Sequence, residues 1–440
     1  MRNDAPLTAT DQHEPEAPTP QATEGTAPQA ADVIAPHAAV AAGQNVVALH
    51  VLALSSFDAV PAAAWDALVG DDNPFIEHAF LLGLERTGCV GPGTGWQPLV
   101  LVVTDTAPVA NGLAPGTRLL GAVPAWLKSD SYGEFIFDWG WADFARRCGL
   151  PYYPKVVAAV PFTPVTGPRL LVAPGSQAAE VQALLADGLR QLARQVGGHS
   201  AHCLFLEEPE AARLEARGWF RRWTTQALWL NPGYRDFDEF LATRNARSRK
   251  EIRRERRGAR EHGLDLRVVT GPDMGDEEWA AVRRLYLTNV DKHGSDAYLN
   301  DAFFLWLREH FAHGVVCTLA RGPRGYVAGT LNFQKGRHLY GRYWGCTEEF
   351  PFLHFELAFY SLFGYCIDHG LTRFEAGAGG EHKFGRGMEP TLIHSAHWLE
   401  NQRLAGPIQA HVAQEHAAAL EWLAEMALRS TRRRGPEPER

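Results

Sequence analysis

The sequence predicts an α+β protein built from two tandem units, each a mixed sheet with helices on both faces. Three observations lead there. A chain of 440 residues is long enough for two domains. Hydrophobic residues make up 45% and charged residues 21%, the balance of an ordinary globular protein. One order of segments, β-α-α-β-β-(β)-α-β-β, occurs twice, which reads as a duplication of structure rather than of sequence identity.

Residues 1–45 are rich in Ala, Pro, Thr, Gln and Glu and cannot bury enough apolar surface to offset their ordering entropy. They are expected to be disordered, as is the tail 431–440. The first unit spans 46–235. It opens on the β-rich run NVVALHVLAL at 45–54, and helical spacing follows at 61–70 and 74–88, each with Pro near the first turn. Strands at 96–105 and 118–128 are joined by a Gly/Pro-rich loop, followed by a helix near 134–148 and a strand at 156–160. A long helix near 176–196, a strand at 202–208, a helix at 210–218 and a strand at 220–230 complete the unit. A basic linker helix occupies 236–263.

The second unit, 264–405, starts with a strand at 264–270 and helices near 276–291 and 300–312. Strands at 315–320, 325–333 and 337–344 lead to the strongly apolar helix FLHFELAFYSLFGYCIDHG, ended by Gly370. A strand at 372–376 and a last one at 392–400 are expected to close this unit's sheet. An Ala-rich C-terminal helix covers 406–430.

A net charge of −8 argues against bulk nucleic-acid binding and leaves room only for a local basic patch. The six cysteines are scattered with no CxxC pair, which reads as reduced thiols in a cytoplasmic protein without a zinc site. No apolar run has the length of a membrane span, and the N-terminus lacks the basic and apolar regions of a signal peptide.

Two stretches concentrate chemistry. In 128–171, Glu134, Asp138, Asp143, Lys155 and Arg169 lie among Phe135, Phe137, Trp139, Trp141, Phe144, Tyr152, Tyr153 and Phe162. Unpaired buried ions cost several kcal/mol, so this density suggests a walled polar pocket. The competing reading is a half-buried amphipathic helix followed by a loop. In 374–390, Gly377, Gly379 and Gly380 permit close backbone approach to a ligand, and Glu381, His382, Lys383 and Arg386 follow at once. Such a turn reads as a handler of anions or acyl groups. Candidate general bases are Glu381, His382, Glu356 and His354, with histidine the usual proton carrier near neutrality. His354 and Glu356 are two residues apart on one helix and so point to different faces, and either reads equally as a hydrogen-bonded core group. Lys383, Arg386, Arg342 and Tyr343 are candidates for holding substrate, with Glu134, Asp138, Lys155 and Arg169 lining the opposite wall if the halves face each other. In the linker, Arg249, Arg253, Arg256 and Arg260 share a helix face. That face reads either as a solvated surface balanced by its own glutamates or as a phosphate clamp.

Ordered segments of the chain resemble the FemAB-like family within the GNAT (acyl-CoA N-acyltransferase) superfamily. They are LKSDSYGEFIFD (127–138), WAD (141–143), YYPK (152–155), PFTPVTGPRLL (161–171), SRKEIRRERR (248–257), LYGRYWGC (339–346), FLHFEL (352–357), EAGAGGEHKFGRG (375–387) and SAHW (395–398). The resemblance implies two tandem GNAT-like domains and a role in peptidoglycan biosynthesis or recognition. It also implies transfer of an acyl or aminoacyl group to an amine by direct attack, with no permanently bound cofactor. Acyl-CoA is then a candidate co-substrate, tRNA a candidate partner, and a small molecule or peptide the amine acceptor. The superfamily's usual pyrophosphate loop, Arg/Gln-x-x-Gly-x-Gly/Ala, is absent from both equivalent places, and Fem-type relatives that use aminoacyl-tRNA lack it too. Asp130, Leu228, Gly379 and Met388 also depart from the family's common residues. Gly377, Gly379, Gly380, Arg249 and Arg253 are the positions expected to meet the donor. Two other classes remain open: a non-catalytic protein binding a peptide, cell-wall precursor or nucleotide-linked ligand in the same cleft, and an RNA-associated protein acting through 244–260.

Overall fold

A computed structural model describes residues 32–33, 38–42, 45–109, 112–293, 296–377, 380–428 and 431–432. Most expected helices and strands lie near their predicted bounds. The runs 96–105 and 118–128, however, each break into two strands, Trp96–Pro98 and Val100–Thr104, Leu119–Val123 and Ala125–Lys128, which join different sheets. The linker 236–263 holds two helices, Phe237–Ala242 and Ala246–Arg260. Within 1–45, two short segments, Asp32–Val33 and Ala38–Ala42, pair with the strand Asn45–Leu54. The rest of that segment lies outside the described residues.

Eleven strands form one continuous sheet. From one edge it runs through Asp265–Thr270, Val315–Gly322, Gly325–Lys335, His338–Cys346 and Arg373–Glu375 of the second half. It then crosses to Phe220–Leu230 of the first half, Glu389–Leu399, Ser200–Leu206, Lys155–Ala158, Ala125–Lys128 and Trp96–Pro98. The last strand corrects the expectation that it closes the second unit's sheet. Glu389–Leu399 inserts between two strands of the first half, antiparallel to both. Its partner Phe220–Leu230 pairs in turn with Arg373–Glu375. The two halves therefore share strands, and the ladder passes unbroken between them.

Two buried histidines lock the inserted strand. His202 Nδ1 lies 2.8 Å from His397 Nδ1, while their Nε2 atoms meet Ser200 Oγ at 2.9 Å and Ser395 Oγ at 2.8 Å. Burial holds both imidazoles neutral, with the His202 pKa pushed down to about 3. The apolar core crosses the halves as well. Phe75 packs edge-on against Phe333, and Phe80 against Phe303, with ring centroids 5.0 and 5.6 Å apart. Each fully buried phenylalanine is worth on the order of 2 kcal/mol, so these contacts bind the units into one body.

The helix Asp276–His293 lies against the strand His338–Cys346 at Gly345, where a Cβ would sit 1.7 Å from the Leu285 carbonyl oxygen. The C-terminal helix Gln402–Leu428 covers the inserted strand and its neighbour. Near its end Trp422 meets Phe384, ring centroids 5.4 Å apart. No helix among the described residues is long and apolar enough to cross a membrane.

Candidate active site

The parallel pair formed by His338–Cys346 and Arg373–Glu375 holds register only from His338↔Arg373 to Tyr340↔Glu375. Beyond Tyr340 the first strand continues to Cys346, while the other chain leaves the sheet at Ala376. Ladder pairing ends there, with Ala376 and Gly377 still beside Gly341, and this unpaired end of the two strands is the wedge.

Three elements meet at its mouth. The first is the apolar helix, whose leading turn Leu353–Phe355 follows Phe352 in a left-handed conformation (φ 67°). It passes through a π-helical turn at Glu356–Tyr360 and runs on to Asp368. Single π turns interrupt the regular ladder and are frequent at functional sites. The second is a 3₁₀ turn, Glu381–Arg386, bounded by Gly380 (φ 88°) and Gly387 (φ 100°). Both glycines occupy left-handed backbone that side chains disfavour, and a Cβ on Gly387 would also strike the Phe240 ring. The third is the linker helix Ala246–Arg260, capped by the Asn245 side chain on the Ser248 amide. It turns Ser248, Ile252, Glu255 and Ala259 inward. Its Gly258 lies against Phe352, where a Cβ would come within 2.8 Å of the ring.

The side chains at the mouth form a basic, aromatic-walled group. His354 and His382 have ring centroids 6.1 Å apart, and His382 packs on Phe355 and Phe359. Trp344, on the free part of the strand, meets His354 edge-on at 4.8 Å. Lys383 is buried and its Nζ donates to Ala376 O at 3.0 Å and Gly377 O at 2.9 Å, folding back over the point where the chain leaves the sheet. Arg386 stacks over Phe355 with its guanidinium carbon 3.4 Å from the ring centroid.

Loss of water and nearby cations push both the His354 and His382 pKa values down to about 4, and burial takes Lys383 down to about 8. At neutral pH the site therefore presents two uncharged imidazoles able to accept a proton, beside a lysine close to its titration point.

His354, His382, Lys383 and Arg386 are thus brought together as the sequence suggests. Gly377 borders the wedge and Gly380 bounds the turn. Gly379 and the side chain of Glu381 lie outside the described residues.

Several other candidates are committed elsewhere. Glu356 is buried against two linker arginines, Arg256 Nε at 3.3 Å and Arg260 Nη2 at 3.6 Å, so it anchors the linker helix rather than standing ready as a base. Arg342 donates to the Phe162 carbonyl and lies 5.1 Å from the Tyr343 ring, bridging the halves. Tyr343 packs edge-on against Tyr286. Arg249 donates to the Arg244 carbonyl at 2.6 Å. Arg253 lies 3.6 Å from Asp238.

The expected opposite wall is closed. Lys155, fully buried, donates to Glu134 at 2.9 Å, Asp138 at 2.6 Å and Ser131 at 2.9 Å. Tyr152 OH donates to Asp138 at 2.5 Å. Arg169 is spent on the carbonyls of Val165 (2.6 Å), Gly167 (3.1 Å) and Pro168 (3.1 Å), which fix the buried loop 161–168. Lys155, Glu134 and Asp138 pair with one another inside the protein, while Glu134 Oε1 and Arg169 Nε are buried without a hydrogen-bond partner among the described residues.

Glu255 was missed as a site residue. It stood in the sequence as one of three glutamates balancing the linker arginines, and only the spacing of the buried face at 248, 252, 255 and 259 signals its inward position. Trp344, Phe355 and Phe359 carried no signal beyond ordinary apolar patterning.

No curated protein matches the sequence. Among solved structures, the fold is similar to a crystal structure of FemX, at 13% identity and TM-score 0.49, over 80% of this chain and 98% of that one. It is similar to L-PGS from Bacillus licheniformis at 13% identity and TM-score 0.40, over 59% and 82%. A tandem GNAT protein from the clavulanic acid biosynthesis pathway matches at 16% identity and TM-score 0.38, over 80% and 99%. The FemAB-like family model, described as peptidoglycan biosynthesis/recognition, matches residues 56–434, and the chain belongs to that family.

Proposed function

We propose that the chain is an N-acyltransferase that moves an acyl or aminoacyl group onto an amine at the wedge between His338–Cys346 and Arg373–Glu375. The observation that supports this reading best is the pair of neutral imidazoles, His354 and His382, at the mouth of a parallel strand pair whose ladder ends after Tyr340. The acyl chain lies in the wedge. The acceptor nitrogen attacks the carbonyl carbon and a C–N bond forms. His382 takes the proton lost by the amine and hands it to the departing sulfur or oxygen as the donor's C–S or C–O bond breaks, leaving the free thiol or hydroxyl and a neutral imidazole. Lys383 supplies positive charge beside the developing oxyanion. Acyl-CoA and aminoacyl-tRNA are the two donor classes this step accommodates.

The test is transfer of labelled acyl groups from a panel of acyl-CoAs and charged tRNAs to amine acceptors, with wild type and His382→Ala. Turnover that collapses in the variant while donor binding persists supports the reading. Binding without turnover from any donor would make the protein a recognition module.

A further inference from the structure

Four arginines of the linker helix converge on a concave cavity that the transfer chemistry does not use. The cavity measures about 470 Å³ and lies between the helices Phe237–Ala242 and Ala246–Arg260. Phe237 and Leu241 provide apolar wall, and Arg253, Arg256, Arg257 and Arg260 provide charge. Their spacing places all four on one helical face beside the buried stripe of Ile252, Glu255 and Ala259.

Like charges at these spacings repel, and the local compensation is thin. Asp238 and Glu261 are the two carboxylates of the lining, against four guanidinium groups. Arg253 reaches Asp238 only at 3.6 Å, with both side chains exposed. Arg256 and Arg260 share the single carboxylate of Glu356, and Arg256 stacks on the Phe237 ring at 3.9 Å. Arg257 makes no ion pair with any described residue. Complementing the helix dipole asks for cations in the last turn, but does not ask them to converge on a cavity.

We propose that this groove is a binding site for a diphosphate group. Counting Asp238, Glu261 and Glu356 against the four guanidinium groups leaves one net positive charge, with Arg257 outside any ion pair among the described residues, and guanidinium forks match the oxygens of a diphosphate in geometry. A single-stranded nucleic acid would need aromatic platforms for successive bases along a cationic track, whereas these four side chains line one open groove whose only aromatic among the described residues is Phe237. The proposal deepens the transfer reading, and rests on it only in taking the ligand to be the phosphorylated end of the donor. Glu356, which holds Arg256 and Arg260 from behind, lies two residues from His354 on the apolar helix.

The experiment is calorimetric titration of the full chain with inorganic pyrophosphate and with free CoA, at low and at physiological salt. Wild type, an Arg253→Ala/Arg257→Ala double variant and an Arg283→Ala control are compared. The expected result is pyrophosphate binding that weakens with salt and falls about tenfold or more in the double variant, while the control is unchanged. Absence of pyrophosphate binding, or equal affinity in the double variant, overturns the site. The two readings fail separately. Arginine-dependent pyrophosphate binding without acyl transfer from any donor keeps the site and removes the donor. Acyl transfer whose KM ignores the double variant removes the site and keeps the transfer.

Discussion

Glu255 and Arg386, 131 residues apart in sequence, form a two-pronged ion pair, Nη2 to Oε1 at 2.6 Å and Nε to Oε2 at 3.0 Å. The same carboxylate accepts the Tyr360 hydroxyl at the end of the π turn. One buried residue thereby joins the linker helix, the apolar helix and the glycine-bounded turn. The position of His382 and Lys383 depends on that junction, because Arg386 also donates to the His382 carbonyl at 2.8 Å.

Glu255→Gln should therefore be costly. The glutamate is 2% exposed and Arg386 13%, so the variant leaves a guanidinium largely buried without its counter-charge. Breaking such a pair costs about 3 kcal/mol. Urea unfolding should show the loss, and a double variant with Arg386→Met should recover part of it. Equal stability of Glu255→Gln and wild type would mean that the pair contributes nothing net.

The closed cluster of the first half behaves in the same way. Lys155→Met leaves Glu134 and Asp138 buried without the ammonium that separates them, and should cost about 3–5 kcal/mol in urea unfolding. The same change should leave ligand affinity in the surviving folded fraction unaltered, since Lys155, Glu134 and Asp138 are buried and paired with one another. A loss of donor affinity with unchanged stability would return this cluster to the role of a binding wall.

The element pattern was legible because it is local. Apolar spacing and the stop at Gly370 fix the helix ending at Asp368, and β-rich runs between Gly and Pro mark the strands. The insertion of Glu389–Leu399 into the other half was not legible, because alternation in LIHSAHWLE is the same whichever strands flank it. The turn bearing His382, Lys383 and Arg386 was visible as a run of chemistry behind glycines. The closed character of Lys155, Glu134 and Asp138 was not, since charges among aromatics read alike whether they line a pocket or pair internally. Glu356 failed as a base for the same reason: its partners, Arg256 and Arg260, lie about 100 residues away in sequence.

Acid should unfold the protein partly through its neutral histidines. His354 titrates near 4 when folded, against 6.5 for a free imidazole. Between these values the unfolded chain binds more protons, so the stability that His354 contributes is present above pH 6.5 and lost as pH falls towards 4. Glu134 and Glu210 act in the opposite sense. Burial raises both to about 7 from 4.5, so their contribution is present at low pH and lost as pH rises through that window. Replacing His354 with Gln should reduce the proton uptake on unfolding by about one between pH 6.5 and 4. Urea midpoints measured against pH for both proteins give this number, and parallel curves would show that His354 is charged in the folded protein.

Lys383 gives the sharpest kinetic expectation. Its ammonium is buried against Ala376 O and Gly377 O where the chain leaves the sheet, and burial lowers its pKa to about 8. If it stabilises the oxyanion, its charged form is the active one, present below pH 8 and lost above it. Transfer should then decline as pH rises through about 8, and Lys383→Met should lower kcat about 100-fold or more while donor affinity holds. Lys383→Arg keeps the charge far into alkali and should move the decline upward, whatever it does to the absolute rate. A merely structural lysine would lower stability without shifting that limb. Rates that rise through pH 8 in wild type would instead make the neutral amine the active form, and Lys383 the base in place of His382.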